Sequence, residues 1–187
     1  MDSPLSKEAL LNICTRIEGH PDNLAPAIFG GMTASLMRDG VPVMARFPLS
    51  EKLRFIALVP DFHLSTELAR SILPKEIPFA DAVFNISHAA LLLRALETAD
   101  IDMISFALND RLHQPYRKGL IRDYDTARQI ACACGAASFC ISGAGPTCLC
   151  IADNDEVGQR LHRELPKVLP TWQVLPLKLD LEGAKIL

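Results

Sequence analysis

The pattern of hydrophobic and polar residues divides the chain near residue 50. The first part shows helical spacing over residues 6–17, and Ser6 is a suitable N-cap for that helix. A second, short helix is predicted from Asp22 to the glycine pair at 30–31, because glycine readily adopts the positive φ that ends a helix. Alternating residues over 32–36 and 41–47 predict a β-hairpin, with its turn at Arg38-Asp-Gly40.

Beyond Pro48-Leu-Ser50, strand and helix patterns alternate. Buried-strand patterns occur at 53–59, 137–141, 148–152 and 172–179, and helical patterns at 65–74, 80–98, 102–109, 123–134 and 155–168. In the longest of these helices, the buried face is expected to carry Val83, Ile86, Ala90, Leu93 and Leu96. Four strands with intervening helices predict an α+β fold with a ferredoxin-like sandwich. The predicted domains are residues 1–50 and 51–187.

Composition and charge argue against several classes of function. The chain has 187 residues, of which 49% are hydrophobic and 22% charged, as in a soluble protein with a core. Its net charge of −3 and the absence of a Lys/Arg cluster argue against a nucleic-acid partner. The N-terminus does not combine a basic start with an apolar run, and no continuous apolar run has membrane-spanning length. We therefore expect a cytoplasmic protein without a membrane partner.

The six cysteines are predicted to be buried structural thiols. They include two C-x-C pairs, at Cys132 and Cys134 and at Cys148 and Cys150, rather than C-x-x-C pairs. No histidine follows them at zinc-finger distance. Since free cysteine is often buried like a small hydrophobic residue in reducing compartments, the spacing favours neither a metal site nor a disulfide framework.

A cluster of polar residues separates the first two predicted helices. Glu18, His20, Asp22 and Asn23 lie within six residues. Burying such groups without hydrogen-bond partners costs free energy, so a cluster of this kind usually faces a ligand or an ion. The alternative is an exposed turn in which Asp22 or Asn23 caps the next helix. That alternative leaves Glu18, His20 and the small apolar run 25–31 unexplained, and a binding site is therefore favoured.

The second candidate is the loop Ser142-Gly-Ala-Gly-Pro-Thr147 between two predicted strands. Its glycines allow backbone N–H groups to approach a ligand, and a concavity lined by amides can hold an anion. A tight hairpin that uses Gly143 and Gly145 for their dihedral angles explains the same residues equally well. The residues of this loop alone leave both interpretations open.

Both segments resemble signature motifs of one superfamily, named for galactokinase, homoserine kinase, mevalonate kinase and phosphomevalonate kinase. Residues 18–27 resemble E-G-H-P-D-N-x-A-P-A of its homoserine kinases, and residues 142–147 resemble S-G-A/S-G-P-S/T. Further resemblances are S-T-x-x-A-R-x-x-L-P at 65–74, N-x-S-R-A-A-L-L at 85–92, with His88 in place of the arginine, and D-x-x-H-x-P-Y-R at 110–117. The resemblance covers residues 5–187 and is closest to the bacterial homoserine kinases.

This resemblance implies an enzyme of threonine biosynthesis that uses ATP and Mg²⁺ to convert L-homoserine to O-phospho-L-homoserine. Glu18 corresponds to the acid that helps to hold Mg²⁺, an ion that prefers oxygen ligands. His20 and Asp22 would face the amino-acid substrate, with Asp22 on its ammonium group. Asn23 would lie near the hydroxyl that attacks ATP. Phosphoryl transfer needs mainly alignment and charge neutralisation, so a general-base role for Asp22 is the less favoured alternative.

The resemblance also assigns roles to two arginines and to the loop. Arg70 and Arg117 would bind the α-carboxylate of homoserine, since a guanidinium can donate two parallel hydrogen bonds to a carboxylate. From the residues alone, both would be interpreted as surface arginines. In the loop, the resemblance implies nucleotide contacts for Ser142, Gly143, Ala144 and Gly145, and substrate contacts for Gly145 and Thr147.

The superfamily's phosphate loop, P-x-x-x-G-L-G-S-S-A, does not occur in these 187 residues. The resemblance therefore implies the end of an N-terminal kinase domain followed by a complete C-terminal domain. Two classes of function compete. One is a homoserine kinase that is inactive or incomplete as this chain alone and has a missing N-terminal kinase part as its partner. The other is a non-catalytic remnant that binds an amino acid or forms a homodimer. A mevalonate-type kinase is disfavoured by His20-Pro-Asp-Asn23 together with both arginines.

Overall fold

A computed structural model describes residues 5–185, which form two compact units. One unit comprises residues 5–49 together with 179–185, and the other comprises Ser50–Lys178. The sequence pattern assigns 179–185 to the second domain, whereas in the structure these residues group with the first unit.

The first unit contains the two helices and the hairpin that the sequence pattern predicts. Its elements are α1 (Lys7–Glu18), α2 (Leu24–Phe29), β1 (Met32–Arg38) and β2 (Val41–Phe47). The Ser6 side chain accepts a hydrogen bond from the N–H of Ala9, which confirms Ser6 as the N-cap of α1. A small core of Leu11, Ala25 and Ile28 joins α1 to α2.

Residues 179–185 contact the rest of the first unit through their backbone. The N–H of Ala184 donates to the carbonyl of Ala27 over 3.0 Å. A Cβ atom on Gly183 would lie 2.5 Å from the backbone nitrogen of Gly30. Gly30 and Gly183 have φ values of 75° and 69°, so both the close approach and the backbone conformation require glycine.

The second unit has the predicted α+β architecture. Its elements are β3 (Arg54–Val59), α3 (Thr66–Ser71), α4 (Phe79–Thr98), α5 (Ile101–Ala107), α6 (Gln114–Arg117), α7 (Tyr124–Ala133), β4 (Ser138–Ile141), β5 (Cys148–Ala152), α8 (Asp155–Val168) and β6 (Gln173–Leu177). The strand order is β4-β5-β3-β6, and all three neighbouring pairs are antiparallel. This order places the first and third strands of the unit in the centre, as in a ferredoxin-like sheet. The predicted fold class is confirmed.

One face of this sheet forms the main core. Leu58 of β3 and Cys148 of β5 are fully buried there. On α8, Val157, Leu161 and Leu165 recur every four residues and are buried in the same core. That spacing places the three side chains on one face of the helix. Burial of each large aliphatic side chain contributes about 1.5–3 kcal/mol, so α8 is a principal element of the core.

The buried face predicted for α4 is wrong in the first half of the helix. Val83 and Ile86 are 47% and 71% exposed, and Ala90 is exposed as well. The buried residues of α4 are instead His88, Ala95 and Leu96. Apolar residues surround most of this helix, so their periodicity does not identify the side that packs against the rest of the unit.

Within residues 5–185, α4 is the one helix that is long and apolar enough to cross a membrane. Its mean hydropathy over an 18-residue window is 1.3. The helix passes this test by length and composition only, and it is not a continuous apolar run, since Asn85, His88 and Arg94 interrupt it. Core helices of soluble proteins pass the same test, and α4 carries polar side chains that bond within the unit. Asn85, for example, donates to the carboxylate of Asp110 over 2.6 Å. The helix is weak evidence for a membrane span.

Hydrogen exchange should differ between the two units. The hairpin of the first unit is a two-stranded sheet, and Ile17 and Leu36 of that unit are 83% and 58% exposed. We expect fast or concentration-dependent exchange over 5–48 and strong protection in β3 and β5. Mass spectrometry at two protein concentrations measures this. Uniform protection from Ser6 to Leu179 at both concentrations would contradict the prediction.

Core packing on α8 can be tested with two substitutions on the same helix. Leu161 is fully buried, and Leu161→Ala should lower the free energy of unfolding by about 2–5 kcal/mol. Val168 is 57% exposed, and Val168→Ala should change the same quantity by less than about 0.5 kcal/mol. Urea unfolding measures both values. Equal losses of unfolding free energy in Leu161→Ala and Val168→Ala would show that α8 does not pack as described.

Candidate functional site

The candidate residues from the sequence occupy both units. Residues 18–23 belong to the first unit, and Arg70, Arg117 and the loop 142–147 belong to the second. In the first unit the structure links His20, Asp22 and Asn23, and in the second it links Arg117 to the loop.

Glu18 is the last residue of α1 and is exposed. The helix ends there because Gly19 has a φ of 94° and donates its N–H to the carbonyl of Thr15 over 2.8 Å. Within residues 5–185, no three His, Cys, Asp or Glu side chains gather as a metal site would require. A lone carboxylate nevertheless fits Mg²⁺, which is commonly held in kinases by one or two carboxylates together with substrate phosphates and water.

His20 and Asp22 form a hydrogen-bonded pair. His20 Nδ1 lies 2.5 Å from Asp22 Oδ1, and the same oxygen accepts the backbone N–H of Asn23 over 3.0 Å. The two side chains are 31% and 66% exposed. Since a carboxylate can only accept, Nδ1 of His20 carries the proton and its Nε2 is the acceptor in the neutral ring. The pair fixes the orientation of both side chains.

Asn23 is the N-cap residue of α2, but its side chain does not cap the helix. Its backbone angles are already helical, with a φ of −85° and a ψ of −28°. The N–H of Ala25 is instead satisfied by the carbonyl of Pro21 at 2.8 Å. The side-chain cap in the alternative explanation of this cluster is not formed at Asn23, whereas the exposed turn that it proposes is present, with Asp22 accepting the N–H of Asn23. The exposed side-chain amide of Asn23 therefore has no capping role in α2.

Arg117 connects three parts of the second unit. Its Nε donates to the carbonyl of Ala69 over 3.0 Å, and its Nη1 donates to the carbonyl of Gly143 over 3.0 Å. Arg70 follows Ala69 in the last turn of α3 and is exposed. The structure thus places Arg117 beside the loop 142–147, and the backbone of α3 next to Arg70 is bonded to the same guanidinium. A guanidinium has five N–H groups, so three on Arg117 remain after these two bonds.

The four-residue helix α6, which carries Arg117, is held by the carboxylate of Asp110. A helix this short is not stable by itself. Asp110 accepts hydrogen bonds from the N–H groups of Leu112, His113 and Gln114 and from the amide of Asn85. Burial alone would raise the pKa of Asp110, but these bonds outweigh it and hold the pKa below its ordinary value of 3.8. The carboxylate is therefore ionised at neutral pH.

Two amide side chains complete this support. Gln114 accepts the N–H of Ile141 at 2.9 Å, which joins α6 to the end of β4 next to the loop. Asn85 of α4 accepts the N–H of Arg111 at 2.9 Å. Sequence reasoning assigned no role to Asp110, Asn85 or Gln114. The signal that could have identified them is their presence in the segments 85–92 and 110–117.

The loop 142–147 is both a tight hairpin and a set of open amides. Ser142 donates its N–H to the carbonyl of Thr147, and Gly145 donates to the carbonyl of Ser142, each over 2.9 Å. Gly143 and Gly145 have φ values of 58° and 86°. Both conformations favour glycine, as the hairpin interpretation states. Among the hydrogen bonds of the described residues, none uses the N–H groups of Gly143 or Ala144.

Most of the cysteines are structural, as predicted. Cys134, Cys148 and Cys150 are buried, and Cys14 and Cys140 are half-buried. Burial raises the pKa of Cys140 to about 11 and that of Cys148 to about 12, so these thiols are neutral and unreactive. Cys132 is exposed, and the prediction of a buried thiol is wrong at that position.

Replacing Asp110 should destabilise the second unit in a pH-dependent way. Asp110→Asn puts an NH₂ group where an oxygen accepts, and we expect a loss of about 2–3 kcal/mol in the free energy of unfolding. Because the folded pKa is lowered, the ionised carboxylate stabilises the fold above its ordinary pKa, and this contribution disappears as pH falls through the lowered value. The difference between the native protein and the variant, measured by urea unfolding, should therefore shrink below about pH 4.

Asp125→Asn is the matched control for this experiment. Asp125 is 70% exposed and lies 3.9 Å from Lys118, so its replacement should cost less than about 1 kcal/mol. A loss for Asp110→Asn as small as that for Asp125→Asn would show that Asp110 does not hold α6.

The two loop glycines should differ in their tolerance of alanine. A Cβ on Gly143 would meet no atom within 4 Å, so Gly143→Ala should cost about 1–2 kcal/mol from the left-handed backbone alone. A Cβ on Gly145 would lie 3.1 Å from Ile121 Cδ1 and 3.3 Å from Ile141 Cγ2. Gly145→Ala should therefore lower the free energy of unfolding further. Equal values from urea unfolding would contradict the described packing of Gly145.

Comparison with known proteins identifies the family of the second unit's core segment. Residues 88–171 match the family described as GHMP kinases C terminal. A homoserine kinase from Clostridium botulinum (strain Eklund 17B / Type B) is 42% identical over 184 residues, and one from Caldicellulosiruptor saccharolyticus is 38% identical over 186. These alignments cover 97% of the chain but 62% and 60% of the two relatives.

A solved structure shows the same fold. The crystal structure of homoserine kinase from Cytophaga hutchinsonii matches with a TM-score of 0.88 and 25% identity, covering 96% of this chain and 60% of that one. The chain thus spans about three fifths of the length of the relatives it matches. The chain contains a GHMP kinase C-terminal domain and is homologous to a C-terminal part of the homoserine kinases.

Proposed function

We propose that this chain supplies the homoserine-recognising part of a homoserine kinase, which transfers a phosphoryl group from ATP to L-homoserine in threonine biosynthesis. The observation that carries the proposal is the position of Arg117. Its guanidinium is fixed between the carbonyls of Ala69 and Gly143, so it lies next to the loop whose Gly143 and Ala144 N–H groups are open. Such an arrangement concentrates donors for an anionic group in one place.

The α-carboxylate of homoserine is the group that we assign to the two arginines. Arg117 retains three N–H groups after its backbone contacts, and Arg70 adds a second guanidinium next to Ala69. Planar guanidinium groups bind carboxylates with defined geometry as well as charge. Because α6 is held by Asp110, Arg117 needs little reorganisation to receive the carboxylate, and this lowers the cost of binding.

The amino and hydroxyl groups of homoserine are assigned to the polar cluster of the first unit. Asp22 keeps its Oδ2 oxygen for the ammonium group while Oδ1 is bonded to His20 and to the N–H of Asn23. The Asn23 amide, which the helix does not use, aligns the hydroxyl that attacks the phosphoryl group. A general-base role for Asp22 is the less favoured alternative, since phosphoryl transfer depends chiefly on positioning.

ATP and Mg²⁺ are the cofactors of this proposal. The N–H groups of Gly143 and Ala144 would contact the nucleotide, together with Ser142 and Gly145, while Gly145 and Thr147 would also contact the substrate. Glu18 would provide one oxygen ligand to the ion, which supplies charge neutralisation when it is bound. We place the protein in the cytoplasm, where such biosynthetic chemistry has access to ATP.

A specific observation favours the second candidate, a module that forms a homodimer. Ile17, Leu36 and Val43 of the first unit are 83%, 58% and 43% exposed. If these side chains form one continuous patch, a protein partner is the usual cover for it. Either a second copy of the chain or an N-terminal kinase part would cover it, and sedimentation of the purified chain distinguishes a dimer from a monomer.

The chain alone is expected to lack appreciable homoserine kinase activity, because its sequence does not contain the family's phosphate loop. Fusion to the preceding part of the Clostridium botulinum relative should produce homoserine-dependent ADP release. A coupled assay measures both proteins. Turnover by the chain alone at a rate of about 1–100 s⁻¹, as in ordinary kinases, would contradict the prediction.

In the active fusion, Arg70→Ala and Arg117→Ala should each raise the KM for L-homoserine by about 10-fold or more and leave the KM for ATP nearly unchanged. Each removes charge-assisted bonds worth about 1.5–3 kcal/mol. The matched substrate is 3-aminopropan-1-ol, which lacks the carboxylate. Its KM should be the same in the fusion and in both variants. Arg94→Ala, on the exposed face of α4, is the control variant. Equal losses for both substrates would rule out carboxylate binding.

A further inference from the structure

One peptide group of the loop 142–147 is bonded on one side and open on the other. It joins Gly143 to Ala144 and is trans. Its carbonyl oxygen accepts a hydrogen bond from Arg117 Nη1 over 3.0 Å. Its N–H, which belongs to Ala144, forms no hydrogen bond among the described residues. Because the C=O and N–H bonds of a trans peptide point in opposite directions, this N–H points away from the guanidinium.

The same peptide lies in the middle of a β-turn. Gly145 donates its N–H to the carbonyl of Ser142 over 2.9 Å, which closes the turn over residues 142–145. Gly143 has a φ of 58°, and Ala144 is not among the non-glycine residues with a positive φ. A positive φ at the first central residue alone is the pattern of a type II′ turn. If the central peptide turned over, a type I′ turn would result, with a positive φ at Ala144 as well.

Arg117 favours the first of these two orientations. In the type II′ turn the carbonyl of Gly143 faces the guanidinium and accepts its hydrogen bond. In the turned-over peptide the N–H of Ala144 would face the guanidinium instead, so that two donors would oppose each other. A charged donor on the carbonyl also polarises the amide, which makes its N–H a stronger donor. The bond thus sets both the direction and the strength of the Ala144 N–H.

The position of the guanidinium does not depend on the loop alone. Arg117 Nε donates to the carbonyl of Ala69 over 3.0 Å, and Gln114 on the same helix accepts the N–H of Ile141 at 2.9 Å. The helix α6 therefore holds the chain just before the loop as well as the carbonyl of Gly143. A Cβ on Gly143 would meet no atom within 4 Å, so the loop is open to a ligand there.

We propose that Arg117 is a positioning residue for phosphoryl transfer, because it holds the Gly143–Ala144 peptide with its N–H toward the phosphoryl oxygens. This inference rests on the proposed kinase function and adds to the carboxylate contact assigned to the same guanidinium. The nucleotide is held chiefly by the superfamily's phosphate loop, which this sequence does not contain, so one N–H contributes little to the KM for ATP. A donor that meets charge developing during the transfer acts on kcat instead.

Ala144→Pro removes this N–H and little else. The φ of proline, about −65°, suits the second central position of a type II′ turn, and no hydrogen bond of the described residues is lost. The active fusion is assayed with 3-aminopropan-1-ol, so that the carboxylate contact has no part in the result. We expect kcat to fall at least about 10-fold in Ala144→Pro and at least about fivefold in Arg117→Ala. Arg94→Ala, the control, should leave kcat unchanged.

The double variant Arg117→Ala/Ala144→Pro shows whether Arg117 acts through the peptide. Its kcat with the amino alcohol should equal that of Ala144→Pro alone, because the N–H that Arg117 orients is already absent. A direct effect of the guanidinium charge would instead multiply the two losses. Multiplied losses, or an unchanged kcat in Arg117→Ala, would overturn the inference.

A second measurement needs no activity and uses the chain alone. In its ¹H–¹⁵N spectrum, the amide of Ala144 should shift more in Arg117→Ala than in Arg94→Ala, because Arg117 bonds the carbonyl of the same peptide. A shift no larger than that in Arg94→Ala would overturn the inference. A fusion without homoserine-dependent turnover would overturn the proposed function, so the two failures are distinguishable.

Discussion

The hydrogen-bonded, partly buried carboxylate of Asp110 is the constraint on which the candidate site of the second unit depends. A four-residue helix cannot persist by its own backbone bonds, yet α6 must carry Arg117 at a fixed position. Asp110 satisfies three N–H groups at the start of this helix, and Asn85 of α4 binds the same carboxylate. Gln114 then ties the helix to β4. The helix that carries the guanidinium is thus held by a network of neutral amides around one charge.

The two sets of site residues are held in different ways. In the first unit, His20, Asp22 and Asn23 are neighbours in sequence, and one carboxylate oxygen links all three. In the second unit, Arg117 reaches Ala69 and Gly143, which lie 48 and 26 residues away. The local set depends on a single turn between helices, whereas the distant set depends on the fold of the whole unit. Substitutions in the core of the second unit should therefore displace the arginines more than they displace the polar cluster of His20, Asp22 and Asn23.

This difference explains what the sequence predicted and what it did not. Local signals were reliable: Ser6 caps α1, and the strand patterns gave the ferredoxin-like sheet. The helix α6 was not predicted, because its stability comes from a side chain of α4 and from Asp110 rather than from periodicity. The buried face of α4 was predicted wrongly, because a helix that is apolar nearly all round carries little directional signal. The site residues came from resemblance to family motifs, and their roles stay predictions.

The central claim is that Arg117 and Arg70 recognise the carboxylate of homoserine from positions set by the fold. The most direct measurement is the ¹H–¹⁵N resonance of each arginine Nε in the completed enzyme, titrated with L-homoserine and with 3-aminopropan-1-ol. The account predicts saturable shifts of both arginines with L-homoserine and none with the amino alcohol. Shifts of the same size with both compounds, or of neither arginine with L-homoserine, would contradict it.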